Sequence, residues 1–257
     1  HGGDGATPSG HLTLPAIGHW LALAPMESID PAPVAPEGMS HSVWRALFLP
    51  RPRWRGTMHR MAIPLAGAAG VVLVLRGSTT ADRVGAAVFV FGAVFMFVAS
   101  GLVHLRRWSV PVYEALFRLD HAAIFVFIAA SGTPVAVTGL EGTSGRILFW
   151  ALWAGALLGV LVRVMPFHPP KGLMNSLFLG LGWVPVFVAP ALVTQLDLAV
   201  MLLIGVEGVL YTTGALMLGA RWPDLAPGHF GYHEVWHTAV TAAVGVHFVV
   251  VWLILGA

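Results

Sequence analysis

The 257-residue chain contains no cysteine. That excludes a disulfide framework and thiolate metal ligation, so a metal here must be held by His, Asp or Glu. Charge is almost as scarce. Asp, Glu, Lys and Arg make up 10% of the residues, where soluble domains carry roughly 25%. So few charges cannot cover a water-facing surface, and most of the chain is expected to face lipid. The formal net charge of +2, with no basic patch interleaved with exposed aromatics, gives no footing for a nucleic-acid partner.

What is present is apolar sequence, 57% of the chain. Seven apolar runs follow one another, starting near Met61, Val84, Ala122, Ile147, Met174, Leu198 and Thr238. Each is close to the roughly 20 residues that cross a bilayer as a helix, the first being the shortest. Hydrocarbon offers no water to bare backbone groups, so an all-α bundle of seven transmembrane helices is the expected fold. Pro64, Gly132, Pro134 and Pro185 fall inside these runs and read as kinks a bundle tolerates. Residues 1–57, rich in Gly, Pro and His, read as a mostly disordered arm with a short interfacial segment around HSVWRALFLP. The seven-helix domain then occupies 58–257.

Positive charge sets the expected orientation. Arg51, Arg53, Arg55 and Arg60 precede the first run, and Arg106, Arg107 and Arg118 lie between the second and third. Arg163, Lys171 and Arg221 fall on the same side, leaving Arg76, Arg83 and Arg146 on the other. The bias puts the N-terminus in the cytoplasm and the C-terminus outside.

That topology draws distant polar residues into one layer. His59 precedes the first run, His104 ends the second, Asp120 and His121 begin the third, and His233 and His237 open the seventh. The word HEVWH (233–237) places two imidazoles one turn apart on one helix face, where both can grip a zinc ion. His104 is the chosen third ligand. Ser100, one turn earlier, is placed to hydrogen-bond behind it, and Asp120 either ligates directly or holds and deprotonates a water at the metal. HEVWH also matches the helix word of zinc peptidases, in which Glu234 would be the general base. The preferred reading of Glu234 is instead an acid favoured by the helix N-terminus. Glu207, deep in the sixth run, is read as either protonated or bonded to His247 of the seventh, although Tyr211 and Thr212 could equally satisfy it; an interhelical hydrogen bond is the preferred role for both.

These residues carry a family resemblance. SGLVH (100–104), RLDHAAIFVFIAASGTP (118–134) and GHFGYHEVWH (228–237) resemble motifs of hemolysin III-like proteins. RGTMHR (55–60) and GVLYTTG (208–214) add to the likeness. That group belongs to the wider progestin and adipoQ receptor family, which includes the adiponectin receptors. The likeness runs in order from Arg55 to the end. Two departures stand out: AASGTP replaces the more usual G-T-Y-T-P string, and Glu207 stands where a small residue is expected.

The resemblance implies seven helices with a cytoplasmic N-terminus and zinc held by His104, His233 and His237. It implies that Asp120 contacts the water at the metal, with Ser100 beside it. The family is grouped with alkaline ceramidases among proposed membrane metal-dependent hydrolases. The expected function is therefore zinc-dependent hydrolysis of a lipid amide near the inner leaflet of a bacterial plasma membrane. A receptor with structural zinc, a hemolysin-type pore and an intramembrane peptidase are the alternatives.

Overall fold

The computed structural model describes residues 41–165, 170 and 172–256, all within one compact unit, Gly38–Ala257. The disordered arm expected over residues 1–57 therefore lies, as far as residue 40, outside the described residues. Nine α-helices and no strand occur among the described residues. They are α1 (His41–Phe48), α2 (Thr57–Arg76), α3 (Thr80–Val103), α4 (Val110–Pro134), α5 (Gly142–Val164), α6 (Leu173–Gly182), α7 (Ala189–Gln195), α8 (Leu198–Ala220) and α9 (Tyr232–Ile254). Seven helical spans are long and apolar enough to cross a membrane, α6 and α7 together making the fifth. The chain is an integral membrane protein. Leu75, Leu198 and Phe187 are 76%, 74% and 84% exposed on the outside of the bundle, tolerable only where the solvent is acyl chain.

Local chemistry explains where helices start and break. Thr79 and Asp82 cap α3 reciprocally: the Thr79 hydroxyl accepts the Asp82 N–H at 3.1 Å, and the Asp82 carboxylate accepts the Thr79 N–H at 2.9 Å. After Pro134 the third span runs on as one π turn, Val135–Gly139. The Thr133 hydroxyl bonds back to the Ala129 carbonyl there and accepts the Trp153 indole N–H. Pro185 does more than kink its span. Its missing N–H interrupts the ladder, and a 3₁₀ stretch, Val184–Val188, separates α6 from α7. Residues 41–57, part of the segment read as an arm, hold α1 and a turn leading into α2. Val43 and Leu47 of α1 are buried with Val103 and Tyr113.

α4 and α9 are the central rods. Ala123 and Phe127 of α4, with Val240, Val244 and Val251 of α9, share one buried cluster with α2 and α3. Phe125 and Ala129, with Val250 and Ile254, share a second with α5, α6, α7 and α8. Being buried on two sides, these helices hold fixed whatever their polar residues build.

Candidate metal centre

The second residue of α9 is His233, and His237 follows one turn later. His104 caps the end of α3, its N–H bonded to the Ser100 carbonyl at 3.2 Å. The three imidazoles meet. Their ring centroids stand 5.0, 5.2 and 4.6 Å apart, and one nitrogen from each lies within 4.8 Å of the others. The Nε2 atoms of His104 and His233 are 3.2 Å apart. Bonds of about 2.0–2.1 Å at a tetrahedral angle would set two ligand nitrogens about 3.3–3.4 Å apart. The His104–His233 spacing fits an ion shared by the two, with a His237 nitrogen within 4.8 Å of both. A set of three imidazoles without sulfur suits zinc, copper, iron or nickel. Burial, aided by the nearby Arg55 and Arg51 guanidinium groups, holds the His104 imidazole well below its usual value. It is therefore neutral at neutral pH, with a lone pair free to ligate.

Residues just before α2 form a strap over this end of the bundle. The Arg51 guanidinium donates to the His104 carbonyl at 2.7 Å. The Arg53 and Trp54 N–H groups donate to the carbonyls of Gly228 and His229, both at 3.2 Å. Arg55 Nε donates to Glu234 Oε1 at 2.5 Å, and the other Glu234 oxygen accepts the Gly231 N–H at 2.9 Å. Glu234 is wholly buried and both its oxygens are committed. It caps α9 and anchors the strap, a structural employment for both oxygens.

Gly56 closes the strap at φ +71°, where a Cβ would stand 2.5 Å from the Cβ of His104. Only glycine accepts both the left-handed backbone and that approach. Gly56→Ala is expected to displace His104 and weaken metal retention by about tenfold or more, of the size caused by losing a ligand's supporting contact. Titration of metal into the purified variant beside the parent measures it.

Asp120 lies outside the three-nitrogen cluster. Its carboxyl is a hydrogen-bonding neighbour of the Ser100 side chain, with the Arg163 guanidinium as the nearby cation. Ser100 and His104 are one turn apart on α3, so the Ser100–Asp120 pair borders the cluster. His121, by contrast, bonds its own helix through Nδ1 to the Phe117 carbonyl at 2.8 Å. His59 stacks on His237, centroids 3.9 Å apart and planes 15° apart. An ion lies near the plane of each ring that ligates it, and two nearly parallel planes so separated do not share one. His59 is a wall that fixes the His237 ring.

Sequence reasoning missed Arg51, Arg55, Gly56 and Arg163. The arginines read as topology signals, and one available clue to Arg55 was an acid at the third position of α9 that needs a partner.

Seven apolar helices and a buried triad of histidines able to hold a metal define a class, an integral membrane protein with a candidate metal centre at one end of the bundle. The chain belongs to the haemolysin-III-related family, whose match spans residues 48–248 and contains the whole triad. It is 28% identical to a hemolysin-3 homolog of Bacillus subtilis (strain 168) over 159 residues, 62% of this chain and 71% of that one. It is 25% identical to a hemolysin-3 of Bacillus cereus over 194 residues, 74% and 85% of the two chains. It is 24% identical to the Homo sapiens monocyte to macrophage differentiation factor over 175 residues, 66% and 70%. These relatives bear out the resemblance to hemolysin III-like proteins and the wider receptor family drawn from the motifs.

Proposed function

We propose that the protein is a zinc-dependent membrane hydrolase acting on lipid amide bonds, its reacting centre near the cytoplasmic leaflet of a bacterial plasma membrane. One observation carries the reading: His104 of α3 meets His233 and His237 of α9 at one end of an apolar bundle, with the Ser100–Asp120 pair alongside. Arg51, Arg53, Arg55, Arg60, Arg106, Arg107, Arg118, Arg163 and Arg221 belong to that end, and the positive-inside bias turns it to the cytoplasm.

Zinc held by the three imidazoles would polarise a carbonyl and lower the pKa of a water to about 7. The chain's own residues do the rest. Asp120 takes the proton released as the amide is attacked and passes it to the leaving amine. Ser100 orients the Asp120 carboxyl, and the Arg163 guanidinium faces it from α5. The surrounding bilayer supplies the lipid, whose acyl chain stays among apolar side chains while its polar bond reaches the cluster.

The names of the two Bacillus relatives raise a hemolysin-type pore as a second reading, and the strap over the triad favours a receptor whose metal is structural. Both oxygens of Glu234 being engaged argues against a peptidase. Asp120→Asn decides among these. In liposomes of parent and variant, turnover of a ceramide-like amide is expected to fall by at least about 100-fold, the usual worth of a positioned acid–base, with metal content unchanged. Turnover indifferent to the change, or metal-loaded parent protein with no turnover, sinks the hydrolase. Leakage of a small dye from liposomes of the parent would favour the pore.

A further inference from the structure

We infer that Glu207, His247 and Tyr211 form a second site, an intramembrane proton-binding site in which Glu207 is kept as a neutral carboxylic acid. It lies apart from the histidine triad. Ten residues of α9 separate His237 from His247, about 15 Å along the helix, and Glu207 stands near the middle of α8.

Two hydrogen bonds fix the proton count. His247 Nε2 is 2.8 Å from the Ser131 carbonyl of α4. A carbonyl can only accept, so Nε2 bears a hydrogen. His247 Nδ1 is 2.9 Å from Glu207 Oε2, and a single proton bridges that pair. Either the carboxyl keeps it and donates to a neutral imidazole, or the imidazole takes it and faces a carboxylate.

The rest of the surroundings chooses. Glu207 Oε1 is buried with no hydrogen-bond partner, and so is the Tyr211 hydroxyl. In the ion-pair form Oε1 would carry unpaired negative charge in the apolar interior of the bundle, and burying an unpaired ionic oxygen is far costlier than burying a carbonyl. No other charge relieves it among the described contacts. α3 contributes the Phe89 ring, 4.8 Å from His247 in an edge contact. α4 contributes the Ser131 carbonyl and the Phe127 ring, the latter 6.5 Å from Tyr211. Tyr211, one turn along α8 from Glu207, is the other titratable neighbour, and it is a hydroxyl. Among the described residues, His247 is the one ion-pair partner given to Glu207. The neutral acid with a neutral imidazole is the form the bilayer accepts.

Infrared spectra of the full chain in lipid nanodiscs at neutral pH test this. The parent is expected to show a protonated-carboxyl C=O stretch that Glu207→Gln removes and that shifts in heavy-water buffer. Three results overturn the proposal: no difference between parent and E207Q, a band that arises only on acidification, or a band that stays unshifted after long exchange. The side-chain amide of E207Q would keep the bond by donating its N–H to a neutral imidazole, so the variant should melt close to the parent. Should E207Q fail to fold, ¹⁵N-histidine spectra of the parent carry the test. His247 neutral with its proton on Nε2 supports the site, and a doubly protonated ring overturns it.

Discussion

Purified His237→Ala is expected to come out of the membrane with its metal lost, where the parent carries about one ion per chain. His237 supplies one of three nitrogens in the cluster, and it is the ligand that His59 braces by stacking. Losing a residue that merely supports a ligand costs about 10–100-fold in metal affinity. Losing a ligand should exceed that, and His104→Ala should match it, because two imidazoles on one helix cannot close a tetrahedron. His229→Ala is the control. That ring is exposed in the loop before α9, and its removal should leave metal content unchanged. Elemental analysis of the three proteins beside the parent reads the result. Full metal content in His237→Ala would remove the candidate centre and the hydrolase with it.

The largest loss of stability is expected from Glu234→Ala. Its side chain is fully buried and answers two donors, Arg55 Nε and the Gly231 N–H. Taking away one partner of a buried pair costs about 3–5 kcal/mol, because the other charge is left uncompensated. Arg55 is 19% exposed, so it regains some water and the loss should fall near the lower end, about 3 kcal/mol. Glu234→Gln keeps an acceptor for one of the two donors and sets an NH2 against the other, so it should lose less than Glu234→Ala without matching the parent. Thermal melting in detergent, run as a double-mutant cycle with Arg55→Ala, isolates the pair. The same variants separate two chemistries. Glu234→Gln retains turnover of a lipid amide if Glu234 is an anchor, and a peptidase would lose activity with it.

The seven spans and the triad can be read from the chain because each rests on local pattern. A run of about 20 apolar residues has one stable form in hydrocarbon, and two histidines four apart share a helix face whatever surrounds them. His104 follows from topology, since α3 ends in the layer where α9 begins. The proline at 185 shows the limit of local reading. Its pattern suggests a kink, but the lost N–H, followed by a second proline at 190, divides the span into α6 and α7. Long-range pairings are beyond reach. Arg55 and Glu234 are 179 positions apart, and nothing near either names the other. Glu207 and His247 pair in the sequence only as a conjecture, and their 2.9 Å contact depends on how α8 and α9 rotate against each other. The stacking of His59 on His237 likewise follows from the packing of α2 on α9.

The strap bears on how the protein comes into being. Arg51 to Gly56 leave the ribosome early in synthesis, and the groups that receive them, Gly228, His229 and Glu234, emerge only with the last span. His104 waits in the same way for His233 and His237. The first six spans can enter the membrane with their basic leader unattached, and the candidate metal centre exists only when the seventh arrives. A chain cut short before residue 231 would insert its helices and bind nothing.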